Sequence, residues 1–293
     1  MGASKRREEQ SLAFGGQALI EGIMIRSRTH MVMCVRQTED QILTHAVQIH
    51  PTSERHWALG LPFLRGIVAL FENLYLGVKG IYFSVNAVLE EEEEEFTWKE
   101  WAVVIVLTLA LSSMFFVLPF LLTSLFHLTG VLFNVVEAVV RIAIFLLYIS
   151  LVATWGEFRR VLQYHGAEHK AINALEAGEA LKVESVKRFS RLHPRCGTSF
   201  IFIVVLVSIL LFSVMPSSGF FVRLAYRVVL IPVIFAVSYE LLRLSGRYRD
   251  SILMRALTAP GLAFQRLTTK EPDDDMLEVA IRAVEEVNRL SGS

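Results

Sequence analysis

The sequence predicts a mainly α-helical polytopic membrane protein. Four transmembrane helices are flanked by a small β-containing cytosolic N-terminal region and an amphipathic C-terminal helix. Three observations predict this class. The 293 residues are 53% hydrophobic, with a mean hydropathy of +0.47, which is apolar for a whole chain. The apolar residues gather in stretches that approach or exceed the roughly 20 residues a helix needs to cross a bilayer. Lys and Arg alternate between rich and empty connections along the chain.

Residues 1–56 read as the β-containing region. Met31–Arg36 and Ile42–Ile49 are short runs rich in β-branched residues, joined by Thr38-Glu-Asp-Gln41, which is the pattern of a hairpin. Gly15-Gly16 marks a turn before them. Glu21 and Arg26 offer a charge pair nearby, an ordinary surface pair being the plain alternative. Residues 57–100 follow as a second region. Across Trp57–Leu89, the residues Arg65, Glu72, Lys79 and Asn86 recur every seven positions on an otherwise apolar rod. That describes a helix lying in the membrane interface or packed on the bundle. A fifth span is rejected, because it would place the seven preceding Lys/Arg outside. The acidic run Glu90–Glu95 reads as a solvated hinge.

The spans come in two pairs. In 101–155, Trp101–Phe126 is uncharged, and Val131–Trp155 is apolar apart from Glu137 and Arg141, four apart and on one face. In 199–242, Ser199–Met215 is short but uncharged, and Phe220–Leu242 carries Arg223, Arg227 and Glu240. His127-Leu-Thr-Gly130 and Pro216-Ser-Ser-Gly219 are the turns within the pairs. Residues 156–198 form a polar loop and 243–293 a tail broken at Pro260-Gly261. In the tail, the acids at 273–275 start a helix, and Asp275-x-x-Glu278 has capping-box spacing. Leu277, Ala280, Ile281, Val284 and Val287 then form an apolar stripe at helical spacing.

Charge gives the orientation. Residues 1–100 hold ten Lys/Arg, 156–198 eight and 243–293 eight, whereas both short turns hold none. The positive-inside rule therefore places both termini and the 156–198 loop in the cytosol. No cleavable signal peptide is visible. The two cysteines, Cys34 and Cys196, make no disulfide framework and suit a reducing compartment. A formal net charge of zero argues for no nucleic-acid partner. The lipid bilayer is the partner that composition implies, and the sequence names no protein partner.

The 156–198 loop carries the chemistry. His165-Gly-Ala-Glu-His169 is an H-x-x-E-H pattern, on a helix that continues out of the second span from Glu157 to Ala177 and stops at Gly178. Residues four apart share a helix face, so His165 and His169 can reach one metal ion. Glu168 sits between them. In zinc peptidases of this pattern, the equivalent carboxylate acts on a metal-activated water. Glu176 continues the same face and is a candidate ligand or orienting group. His193-Pro-Arg-Cys196 supplies a third imidazole and the loop's one thiol, with Pro194 favouring a turn back toward the helix. Imidazoles and a thiolate describe a borderline-soft divalent metal, zinc most often. H-x-x-E-H alone also arises by chance on many helices. The weight comes from both motifs falling in one loop of a chain with eight His and two Cys.

Five blocks resemble one family: GGQALIEGIMIRS at 15–27, LRGIVALFENLYLG at 64–77, YHGAEHKAINALEAGE at 164–179, HPRCGTSF at 193–200 and LTTKEPDDDMLEVAIRA at 267–283. Together they resemble the YqhQ-like bacterial membrane proteins, a domain of unknown function described as a predicted metal-dependent enzyme. The resemblance implies a multi-pass protein of the bacterial cytoplasmic membrane. It implies that His165, Glu168, His169, His193 and Cys196 form the motif, and that Gly15, Gly16, Gln17, Glu21, Gly22 and Arg26 form an N-terminal signature. It supplies no substrate.

Two functions are open at this point. One is a membrane-embedded metal-dependent enzyme, a hydrolase at the cytosolic face. There Glu168 is the general base, and Glu21, Arg26 and Arg195 are candidate substrate-binding residues. The other is a non-enzymatic assembly or transport partner, with His165, His169, His193 and Cys196 closing a structural zinc site.

Overall fold

The computed structural model describes residues 14–50, 52, 57–90, 97–194, 196–214, 219–248 and 251–291. The acidic run beyond Glu90, the tip of the 216–219 turn and Arg195 lie outside the described residues.

Four strands form one antiparallel sheet in chain order: β1 (Gly15–Leu19), β2 (Gly22–Arg26), β3 (His30–Arg36) and β4 (Ile42–Gln48). The expected hairpin is β3–β4, in register from His30 opposite Gln48 to Arg36 opposite Ile42. Gly15-Gly16 is not a turn. Both glycines lie in β1, paired with Arg26 and Ile25, and the turn falls at Ile20-Glu21, where Glu21 has φ 49°. Glycine there serves close approach rather than reversal, as the site makes plain below.

The sheet is covered on both faces, because successive side chains point opposite ways. Ile23, Ile25, Val32 and Cys34 pack with α5 (Gly156–Ala177) and α11 (Asp274–Ser291). Met24, Met31, Met33 and Val35 pack on Leu76, Phe83 and Ala87 of α1 (Leu64–Leu89). The C-terminal stripe is therefore buried against the sheet: Leu277, Ala280 and Val284 are essentially inaccessible. Asp274 and Asp275 lie in the first turn of α11, where acids favour the helix dipole. Glu278 closes no capping box; its carboxylate takes an ion pair from Arg36 at 2.9 Å.

α1 is the helix with the seven-residue polar repeat, and it packs on both the sheet and the bundle. Its repeat is used for contacts: Arg65 pairs with Glu240, Glu72 accepts from the Thr52 N–H, and Lys79 stands 5.0 Å from the Tyr75 ring centre.

The apolar helices follow. α2 (Trp98–Phe116) starts at a capping box between Thr97 and Glu100. It runs into α3 (Leu118–Ser124), and together they give a mainly apolar stretch of 27 residues. α4 (Gly130–Val152) gives 23. These two are long and apolar enough to cross a membrane. α8 (Phe220–Val229) and α9 (Ile231–Arg247) make a third if taken as one span, bent by 44°. The bend falls beside Pro232, which lacks an N–H and crowds the preceding turn. α7 (Gly197–Ser213) is apolar, but it is only 17 residues long. The fold is thus mostly helical with a small N-terminal antiparallel sheet, and among the described residues two or three helices have the dimensions of spans. Short α6 (Val183–Val186) and α10 (Ile252–Thr268) complete the chain.

Glu137 and Arg141 pair at 2.7 Å, as their spacing predicts. Arg227 joins them from α8, its guanidinium 2.5 Å from the same carboxylate. Arg227 also stacks on Phe120, and Arg141 donates to Ser208. One carboxylate thus serves two buried guanidiniums, with aromatic faces around them.

Candidate metal centre

The loop helix does not continue unbroken from the second span. α4 ends at Val152 and α5 starts afresh at Gly156. α5 does end at Gly178, in the left-handed conformation at φ 73° that glycine adopts without strain. On α5, His165 and His169 lie one turn apart, ring centres 4.4 Å. Cys196 reaches them as the N-cap of α7. The ligand atoms of His165, His169 and Cys196 all lie within 4.8 Å of one another, and His165 Nε2 stands 3.2 Å from the Cys196 sulfur.

Neighbouring carbonyls fix both rings. His165 Nδ1–H donates to the Thr268 carbonyl at 2.7 Å, and His169 Nδ1–H to the Arg191 carbonyl at 2.7 Å. A carbonyl can only accept, so Nδ1 carries a proton in each ring, which leaves Nε2 as the atom turned toward the cluster. This is the outer-sphere arrangement that orients metal-binding histidines. The sulfur receives Thr198 N–H at 3.5 Å and Thr198 Oγ–H at 3.3 Å. Two imidazole Nε2 atoms and a sulfur, each oriented from behind, fit a borderline-soft divalent ion.

Glu168 faces the same space from the other side. It is buried, and a Cβ on Gly16 of β1 would overlap its carboxylate. Burial holds the Glu168 carboxyl above the usual carboxylate range, opposed by His165 and His193. Burial also pushes the His169 and His193 imidazoles down, which favours the neutral, metal-binding form. A cavity of about 380 Å³ lies over the cluster, bounded by Gly16, Gln17, His165, Glu168, His193 and Cys196 among others.

The remaining candidates are placed as follows. His193 is buried with its ring centre 5.7 Å from that of His169, outside the close set of three. Its Nε2 stands 3.4 Å from the Glu176 carboxylate, so Glu176 sits behind His193 rather than among the three close ligand atoms. Glu21 and Arg26 do not pair with each other. Glu21 accepts from Arg160 at 2.5 and 2.6 Å, and Arg26 donates to Asn73 at 2.5 Å. Neither lines the cavity. Arg195 lies outside the described residues.

α10 supplies residues that sequence reasoning missed. Gln265, fully buried, accepts the His193 N–H and donates to the His193 carbonyl, both at 2.7 Å. Thr268 supplies the carbonyl that orients His165. The segment after α10 docks on α5 where Gly166 leaves room: a Cβ there would overlap the Lys270 carbonyl. Lys170 then pairs with Glu271 at 2.6 Å. The one available signal was Gly166, a glycine inside a helix, which marks a close backbone approach.

A family model described as "Protein of unknown function (DUF1385)" matches residues 61–290. The chain is 35% identical over 295 aligned positions to "Uncharacterized protein YqhQ" of Bacillus subtilis (strain 168), covering 95% of this chain and 93% of that protein. No solved structure matches it.

Proposed function

The chain belongs to the DUF1385 family, with a YqhQ-like relative along nearly its whole length, and from the chemistry of its site we propose that it is a membrane-embedded, metal-dependent hydrolase. The observation that carries this reading is that, among the described residues, three ligand atoms rather than four converge beside a buried carboxyl group. Catalytic zinc sites use three protein ligands and keep a position for water or substrate, whereas structural sites close with four. His165, His169 and Cys196 would hold the ion. When bound, such an ion supplies Lewis acidity and a water nucleophile at neutral pH. Glu168, buried beside these three ligands, would act as the group that holds and transfers protons at its carboxylate. Gly16 and β1 hold the carboxylate in place and cover it from solvent. His193 and Glu176 support the cluster from behind.

We place the site at the cytosolic face of a bacterial inner membrane, with four spans: α2–α3, α4, α7 and α8–α9. The charge-free short connections and the Lys/Arg-rich long ones support this arrangement.

The test is metal analysis of detergent-purified protein alongside complementation of a deletion strain. His165→Ala and His169→Ala should each abolish zinc retention. Glu168→Gln should keep zinc and lose complementation. Retention of both by Glu168→Gln would defeat the hydrolase reading and favour a structural zinc clip.

A further inference from the structure

The cavity over the cluster adjoins a second one. Thr198 and Ile201, on the first turns of α7, line both. The second cavity has a volume of about 230 Å³ and lies among α2, α4, α7, α9 and α10. Phenylalanines dominate its walls, including Phe116, Phe145, Phe235 and Phe264. Arg141 is its one charged neighbour, and that guanidinium is turned to Glu137, Ser208 and the Phe115 carbonyl. Most of its wall residues are half-buried and Ile201 is exposed, so the cavity is a cleft open at the bundle surface. The helices around it present apolar side chains outward, Leu107 and Leu147 among them. What reaches such an opening is the hydrocarbon of the bilayer.

Two adjoining compartments therefore differ in chemistry, since only the first carries a cluster of polar side chains on its partly apolar walls. One holds His165, Glu168, Cys196 and the Gln17 amide; the other is walled by carbon. A sugar, a nucleotide or a soluble peptide would use only the first. An amphiphile uses both, with its polar head in one and its chain in the other. We propose that the substrate is a membrane lipid whose hydrocarbon chain occupies the phenylalanine-lined cleft while its head group lies over the His165–His169–Cys196 cluster. This rests on the hydrolase reading and names its substrate class. Thr198 and Ile201 stand where head and chain would meet.

The experiment uses the full chain in phosphatidylethanolamine–phosphatidylglycerol vesicles. These are doped with phosphatidylglycerol carrying a diazirine midway along one acyl chain. After illumination, adducts are mapped by mass spectrometry and zinc is measured on the same samples. Adducts should concentrate on peptides bearing Phe116, Phe202 and Phe264, above the level on the lipid-facing Val103 and Leu107. Val205→Trp, which fills the cleft, should lower the cleft adducts several-fold and abolish complementation. It should leave Val103 adducts and zinc content unchanged. Ile142→Trp, from the facing wall, repeats the test should Val205→Trp fail to accumulate. Cleft adducts no denser than those on Val103, on a protein that holds zinc, would overturn the lipid and leave the hydrolase standing. Both tryptophan variants complementing as wild type would do the same. Cleft adducts on a protein that holds no zinc would overturn the hydrolase, and with it the lipid as substrate.

Discussion

Two glycines and two cysteines separate roles that composition alone would merge. Gly16 abuts a flexible carboxylate, and Gly166 abuts a backbone carbonyl. Gly16→Ala should therefore displace Glu168 without unfolding the protein. Because misplacing a catalytic group by about 1 Å can cost about 10²-fold, complementation should fail while zinc is retained. Gly166→Ala should instead push the Lys270 segment off α5, remove the Thr268 carbonyl from His165 and lower zinc content. Equal zinc in the two variants would refute that division. The cysteines divide as clearly. Cys34 is fully buried, and burial pushes its thiol up to about 11. At pH 8 it stays a thiol and should resist iodoacetamide in the native protein. Cys196 is partly exposed and should be alkylated, with added zinc protecting it. Mass mapping before and after chelation reads both. Of the site residues, the H-x-x-E-H pair was legible because helical spacing alone fixes it. Gln265 and Thr268 were not, because their contacts span 72 and 103 residues and leave no local pattern.

Among elements, the β3–β4 hairpin and the buried Glu137–Arg141 pair follow from spacings of two and four, which the backbone enforces. β1 and β2 escaped because three glycines in twelve residues conceal strand periodicity. Glycine in a strand marks close approach as readily as a turn. Arg227 escaped as the third member of the α4 cluster because it arrives from another helix, 90 residues on. Its presence sharpens the expected mutational pattern. Glu137→Leu strands two buried guanidiniums and should cost about 3–5 kcal/mol, the range for breaking a buried pair. Arg141→Leu leaves Glu137 paired with Arg227 and should cost less. The triple change of Glu137, Arg141 and Arg227 to Leu should recover most of the stability lost by Glu137→Leu, read as thermal unfolding in detergent. A triple variant no more stable than Glu137→Leu would show that the charges do not act as a unit.

For the whole molecule, the proposed four spans predict that reporter fusions after residue 180 and at the C-terminus both signal cytosol. A periplasmic signal at either place would overturn the arrangement, whose weakest member is the 17-residue α7. The class of the fold was legible from hydropathy, since lipid leaves the backbone few alternatives to helix. The joining of sheet, α5 and α11 was not, since it depends on distant segments meeting. That joining has a consequence for synthesis. The carbonyl that orients His165 belongs to Thr268, 103 residues later in the chain. At about 5–20 residues per second, the ribosome emits the histidine helix roughly 5–20 s before the segment that orients it. A nascent chain therefore exposes imidazoles before it owns a finished site, and under the proposed metal reading capture would wait for the completed protein. Chains cut before residue 265 should enter the membrane yet stay empty of zinc.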